Sequence, residues 1–335
     1  MVRNSERSIM IAMCQTALTI HLAPVHNQEQ TKQIQDAIDR AATCGGVVVL
    51  APGIYRTGTL KLRRNVTLRG TPVFTADESY GSVLQLCHPD ANCLLDLTDA
   101  CGANVHGLSC LGGNLGTSIH GIAATGTPAQ RLGIHIDTVK CANFSGAGIY
   151  IERVFDLEIL HSLFCNNRAD GIYFSGRFLT VSDCICRKNE GCGIRIFDGT
   201  SVSITSSRFC ENQQDGVQLT RADAVQLLNS GLDHNAGSGL LAKGERDRMI
   251  RGLTVNGCSF RANKTVHAAF DYLCSLSVCQ NQFSPAAVLP QHAIALSHLW
   301  DAVCKTNILT GASKMEAIQD AGNHRGQVIL CDNIG

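Results

Sequence analysis

Net charge, proline and long apolar runs are all scarce in this 335-residue chain, and each scarcity excludes something. Lys+Arg and Asp+Glu are equal at 28, so no bulk field marks a dedicated nucleic-acid binder. No run approaches the ~20 apolar residues that a membrane span needs. With 7 Pro and 44% hydrophobic residues, no segment is polar or low-complexity enough to be a disordered linker. The balanced total leaves a substrate's charge open, because a local basic groove can sit on a neutral protein.

Glycine is plentiful, and its placement organises the chain. Gly148-Ile149-Tyr150-Ile151, Gly171-Ile172-Tyr173-Phe174, Gly193-Ile194-Arg195-Ile196, Gly216-Val217-Gln218-Leu219 and Gly239-Leu240-Leu241-Ala242 are five copies of one phrase. Their glycines lie 23, 22, 23 and 23 residues apart. Asn167, Asn189, Asn212 and Asn235 stand four residues before the last four glycines, whereas Asn143 is one residue out of step in the first copy. A fixed period of this size means a solenoid, whose repeats bury their apolar faces only by stacking. Short alternating apolar runs divided by Gly, Asn, Asp and Ser read as strands and turns. The expected fold is all-β: a single-stranded, right-handed parallel β-helix of roughly 10–12 coils. Stacked asparagines would form an amide ladder along one turn.

Seventeen cysteines invite a disulfide framework, but their positions argue against it. Three residues before the ladder asparagines stand Phe164, Cys186, Phe209, Leu232 and Phe260; five before stand Ser162, Cys184, Ser207, Ser230 and Cys258. Cysteine here takes turns with Phe, Leu and Ser, as a small buried hydrophobe does. The total is odd, and no Cys/His spacing matches a zinc motif, so no metal site is expected. Reduced thiols imply a cytoplasmic home. Export is the alternative, since Arg3, Arg7 and the apolar run from Ile9 to Cys14 loosely resemble a signal peptide that Gln15, Thr16 and Thr19 interrupt.

The chain reads as one domain over residues 1–335. Residues 1–44 supply strands near 8–23 and a helix from about Glu29 to Thr43, with Asn27 as a possible N-cap. Ile34, Ala37, Ile38 and Ala41 share one helical face and should cap the open end of the solenoid. Coils fill residues 45–300, most regular over 132–249, with excursions at Asp77-Glu78-Ser79 and Gly112-Gly113-Asn114 and a loop marked by Pro285 and Pro290. Residues 301–335 form terminal coils and a cap.

The run Ile34-Gln35-Asp36-Ala37-Ile38-Asp39, then Gly45-Gly46-Val47-Val48-Val49-Leu50-Ala51-Pro52-Gly53-Ile54-Tyr55, Gly58-Thr59-Leu60-Lys61-Leu62 and Asn65-Val66-Thr67-Leu68, resembles the opening segment of the pectin-lyase-like superfamily. That superfamily includes polygalacturonases, pectate-lyase-type enzymes and phage tailspikes. The resemblance implies the β-helix and carbohydrate substrates. Polygalacturonases carry Asn-Thr-Asp, Asp-Asp, Gly-His-Gly and Arg-Ile-Lys, and this chain offers only Asn167-Arg168-Ala169-Asp170-Gly171 and Arg195-Ile196-Phe197, so it is not a regular member of that enzyme family.

Alternation along a strand places chemistry on the outer surface. Tyr150, Tyr173, Arg195, Gln218 and Leu241 form one outward column; Glu152, Ser175, Phe197, Thr220 and Lys243 form another. Tyrosines and a guanidinium on neighbouring rungs can stack on sugar rings and grip a carboxylate, or simply be cross-strand pairs. The residues before the glycines add His120, Ala147, Asp170, Cys192, Asp215 and Ser238. Asp170 and Asp215, two rungs apart, suit an acid and a base separated by the ~6.5–9.5 Å of an inverting glycosidase, although Asp-Gly is also a common turn pair.

The expected function is therefore acid/base cleavage of glycosidic bonds in a poly- or oligosaccharide. Catalytic candidates are Asp170, Asp215, Arg195 and His120; substrate-binding candidates are Tyr150, Glu152, Tyr173, Gln218, Arg221 and Lys243. A polysaccharide lyase (with Arg or Lys as base and Ca²⁺ as an optional cofactor), an epimerase and an intramolecular fructosyl transferase are alternatives. So is a non-catalytic, tailspike-like binding module, and a homo-oligomer such as a trimer is compatible with either. His161, His234, His267, His292 and His298 are scattered and read as structural.

Overall fold

The computed structural model describes residues 18–74, 80–126, 131–284, 292–309 and 316–334. The signal-like segment before residue 18, the Asp77-Glu78-Ser79 excursion and the Pro285 and Pro290 loop lie outside them. The rest is all-β, wound so that strands pair in parallel with the coil before and the coil after. Each central coil has three faces. The first face starts just after the repeat glycine, as in Ile172, Tyr173 and Phe174; a bend leads to the second face, and both lie within Ile172–Ser182. The third is short, as in Ile185–Arg187, and belongs to an 11-stranded sheet.

The repeat phrase has a physical reason at each position. Ile149 and Ile151, Ile172 and Phe174, Ile194 and Ile196, Val217 and Leu219, and Leu240 and Ala242 are all fully buried, because residues i and i+2 of a strand share a face. The glycines are there because the next rung leaves no room. A Cβ on Gly193 would lie 2.6 Å from the carbonyl oxygen of Gly216 and 2.9 Å from Nδ2 of Asn212.

The asparagine ladder forms as expected. Nδ2 of Asn167, Asn189, Asn212 and Asn235 each donates to Oδ1 of the next asparagine at 2.9–3.0 Å, ending at Asn263. That same Oδ1 also accepts the preceding asparagine's backbone N–H. Asn143 does not join. It belongs to a left-handed turn column with Asn166, Lys188, Glu211 and His234, at φ 55° to 61°. The ladder instead ends on the N–H of Phe144.

A second ladder, Asn281–Asn307–Asn333, runs in the turn before the third face, each amide bond 3.0 Å. It continues the column of Ser162, Ser207 and Ser230, whose hydroxyls do the same job upstream. These later asparagines are 26 residues apart, so a template of 23 passes over them.

Phe164, Cys186, Phe209, Leu232 and Phe260 are all fully buried, which bears out the alternation of thiol and apolar side chain. No disulfide pairs the cysteines among the described residues, ten of which are buried and six half-buried.

The first coil pairs Thr19–Leu22 with Val47–Leu50. Over it lies the helix Thr31–Ala41, shorter than expected at both ends, with Ile34, Ala37, Ile38 and Ala41 buried in the same core as Val48 and Leu50. Its N-cap is Gln30, with no side-chain cap bond; Asn27 sits in the preceding loop at φ 56°. No helix among the described residues is long and apolar enough to cross a membrane.

Candidate functional site

The first outward column is in register: Tyr150 pairs with Tyr173, Tyr173 with Arg195, Arg195 with Gln218 and Gln218 with Leu241. Its N-terminal end is a stack of three rings. His120 and Tyr150 have centroids 4.5 Å apart, and Tyr150 and Tyr173 4.7 Å apart at 9°. The backbone of His120 occupies the position before Gly121, as expected, while its ring turns onto Tyr150. Its Nδ1 accepts the N–H of Ala147 at 3.0 Å, so the neutral ring carries its proton on Nε2. Burial lowers the imidazole pKa to about 4. Burial, and then the charge of Glu152, raises the pKa of Tyr150; burial, Tyr150 and Glu152 do the same for Tyr173. All three rings are therefore neutral donors near pH 7.

Arg195 follows, and here the structure corrects the expectation. Its Nε donates to Oδ2 of Asp170 at 2.8 Å and its Nη2 to Oδ1 at 3.1 Å. Nη2 also reaches Oε1 of Gln214 at 2.9 Å, and Nη1 donates to Oε1 of Gln218. The fork meant for a substrate carboxylate is committed inside the protein. Burial opposes the guanidinium's charge, but the bond and field of Asp170 outweigh it and raise the pKa.

Asp170 and Asp215 share one column, and both are buried. Each Oδ1 accepts a backbone N–H from the next coil, Cys192 for Asp170 and Ser238 for Asp215, both at 2.7 Å. They therefore hold the turn, as Asp-Gly pairs do. Asp215 Oδ2 accepts Gln218 Nε2 at 3.2 Å. The chain Asp170–Arg195–Gln218–Asp215 is continuous, so the two carboxyls are bridged by side chains. The aspartates still differ: Asp215 has no guanidinium of its own, and burial raises its pKa.

The second outward column is broken. Register shifts after Ile151 and after Phe174 put Glu152 and Ser175 out of line with Phe197; from Phe197 through Thr220 to Lys243 the register is regular. Glu152 lies 3.5 Å from Arg153. Arg221 is held by Glu245 at 3.2 Å and lies 5.4 Å over the ring of Phe197. Arg248, from the charged insertion, pairs with Asp198. Lys243 is exposed and pairs across the rungs with Asp271.

One rung past Lys243 the surface becomes concave. A cavity of about 540 Å³ is lined by Arg246, Tyr272, His298, Trp300, His324 and Arg325, among others. Tyr272 and His298 stack at 4.2 Å and 3°, and Arg325 lies 5.3 Å over Trp300. Asp271 holds Nδ1 of His298 at 2.9 Å. His324 accepts the N–H of Leu299 at Nδ1, so its Nε2 donates to Asp320 at 2.5 Å.

None of these residues was a sequence-derived candidate, and His298 read as structural. The signal was present as the same 26-residue period, which links Tyr272, His298 and His324. A shallower groove of about 580 Å³ lies on the second face, lined by His135, Glu158, Phe178, Thr180, Ser203 and Gln226. It holds a His135–Glu158 pair at 2.8 Å and one aromatic ring.

One group of potential metal ligands converges among the described residues: Glu29, Cys87 and His88, whose ligand atoms lie within 4.8 Å of one another. It sits at the N-terminal end, away from the strip, and the Glu29–His88 contact of 3.1 Å is an exposed ion pair. Sequence spacing could not show it, because Glu29 is far from the Cys87-His88 dipeptide in the chain.

The family described as "Right handed beta helix region" matches residues 120–284. Among solved structures, the mannuronan C-5 epimerase AlgE4 A-module of Azotobacter vinelandii is 17% identical, with 92% of each chain covered and a TM-score of 0.72. The Dettilon tailspike protein gp208 is 12% identical over 90% of this chain and 68% of its own, at 0.67. A tailspike protein of E. coli bacteriophage HK620, solved with a pentasaccharide, is 14% identical over 94% of this chain and 64% of its own, at 0.70. No curated protein matches. The family match spans just under half of the chain, and at these identities the likeness to the solved structures is one of fold, a right-handed parallel β-helix.

Proposed function

We propose that this protein is a carbohydrate-active enzyme whose poly- or oligosaccharide substrate lies across the rungs from His120 to Lys243. The observation that carries this reading is the His120–Tyr150–Tyr173 stack, three half-buried, neutral rings in one line. Stacked 4.5–4.7 Å apart, the rings cover one another's faces and present a row of apolar and polar edges to successive sugar units. Beyond them Gln218, Lys243 and Arg221 continue the polar strip. The named activities of the structural neighbours, mannuronan epimerisation and tailspike binding of a pentasaccharide, support a carbohydrate partner.

Within this reading Asp215 is the proton donor, since its burial favours the protonated form. Asp170 can act as the base only if Arg195 swings away, because both its oxygens are engaged. That commitment favours a second reading, a saccharide-binding β-helix without turnover.

Incubation with a panel of purified polysaccharides, followed by mass spectrometry of the products, separates the possibilities. Gain of water means hydrolysis, an unsaturated product means elimination, and unchanged mass with altered linkage or sugar configuration means transfer or epimerisation. Binding without any product supports the second reading. Neither product nor binding on a broad panel overturns both.

A further inference from the structure

We propose that the cavity formed by Arg246, Tyr272, His298, Trp300, His324 and Arg325 is a saccharide subsite for an acidic sugar unit, a uronate. This rests on the carbohydrate reading above and extends it beyond the strip. The volume, about 540 Å³, falls in the ~300–1,000 Å³ range of small-ligand pockets. Its walls join flat rings to cations: the Tyr272–His298 stack, the indole of Trp300, and the guanidinium groups of Arg246 and Arg325. A sugar ring can lie against the exposed edges of the Tyr272–His298 stack and the indole while a carboxylate meets a guanidinium.

The two acids nearby are turned to imidazoles, Asp271 to His298 and Asp320 to His324, which they orient, whereas Arg246 and Arg325 make no ion pair among the described residues. Position favours the same ligand. Lys243, the last member of the strip, is the cross-rung partner of Asp271, so a chain lying along the strip runs into the cavity. Tyr173 and Tyr272 are four rungs apart, ~19 Å at ~4.8 Å per rung. Only an oligosaccharide of several units can therefore occupy both the ring stack and the cavity.

Trp300 is the only tryptophan of the chain, so its emission reports on this cavity alone. Titration of the wild-type protein with oligogalacturonates of two to eight units should give a saturable emission change. Neutral oligosaccharides of equal length should give none, and affinity should rise steeply once the acidic chain spans both sites. Arg246→Ala should weaken the response at least tenfold without shifting the melting temperature. Tyr150→Ala/Tyr173→Ala should abolish the length dependence but keep the short-chain response.

Calorimetric binding of these acidic oligosaccharides with no change in Trp300 emission, or an equal response to neutral sugars, would overturn the subsite and leave the strip standing. A short-chain response without length dependence in the wild type keeps the subsite and removes the strip. Silence by both methods overturns the proposal of a uronate.

Discussion

The central coils and the C-terminal coils are built on the same winding rule but serve different ends. From Gly148 to Ala242 the glycines keep a spacing of 22 or 23, one asparagine ladder runs unbroken into Asn263, and the outward side chains are locked to one another through Asp170, Arg195, Gln218 and Asp215. From Val266 onward the spacing widens to 26 at most cross-rung pairs and to 24 at His292–Glu316, the ladder moves to another turn, and the insertion at 244–249 brings Arg246 to the surface. The regular region buries its polar groups in repeated bonds and carries only the shallow groove of its second face. The irregular region spends its extra residues on loops, and the surface between them is concave.

The largest effect expected from breaking this contrast is at the ladders. Asn189→Ala removes a fully buried amide that serves Asn167, Asn212 and the carbonyl of Phe164. Leaving several buried groups unpaired should cost about 3–4 kcal/mol in a denaturant titration. Asn307→Ala breaks equivalent bonds near the C-terminal end, where local opening can absorb the loss. It should cost at least ~1 kcal/mol less than Asn189→Ala, and equal costs would remove the contrast in stability.

Gly193→Ala comes next. Its Cβ would have to displace backbone of the next coil, a strain of ~1–3 kcal/mol.

Acid should act more gently, through two histidines that burial holds at a pKa of about 4, His120 and His267. The unfolded chain takes up these protons near the ordinary imidazole value of ~6.5, while the folded protein does so only near 4. Stability is therefore full above pH ~6.5 and lost progressively as pH falls toward 4. Nδ1 of His267 must stay unprotonated to accept from Asn263. The melting temperature should thus fall over that window, and His267→Gln should flatten the fall. A flat wild-type profile would contradict the burial account.

The smallest stability change is expected at Asp215→Asn, because an amide oxygen can still accept the N–H of Ser238. The cost should be below ~1 kcal/mol, whereas loss of a general acid would lower turnover by ~10²–10⁴. Asp170→Asn should destabilise more, since it leaves the half-buried Arg195 without its ion-pair partner. Comparing the two variants by melting temperature and turnover separates the turn role from the catalytic one.

Much of the fold was legible because each repeat carries its own explanation. Gly193 marks where the next rung's carbonyl approaches, Asn189 the amide ladder, and Cys186 the apolar column. The site was less legible, for two physical reasons. A register column says which side chains are neighbours, but not which partner each will choose. Arg195 stands beside Tyr173 as the spacing requires, yet its guanidinium turns to Asp170. And a template of 23 residues cannot see a period of 26, so Tyr272 and Asn307 passed unnoticed and His298 read as a scattered structural histidine, although their own spacing is regular.

The claim at the centre of this account is that sugar lies across the ring stack. Calorimetric titration of the polysaccharide panel against the wild type and against Tyr150→Ala/Tyr173→Ala tests it most directly, with circular dichroism confirming that both retain the β-helix. Truncating a tyrosine at the centre of a binding surface costs about 1 kcal/mol or more, so the double variant should bind at least tenfold more weakly. Undiminished affinity in a folded double variant would contradict the account.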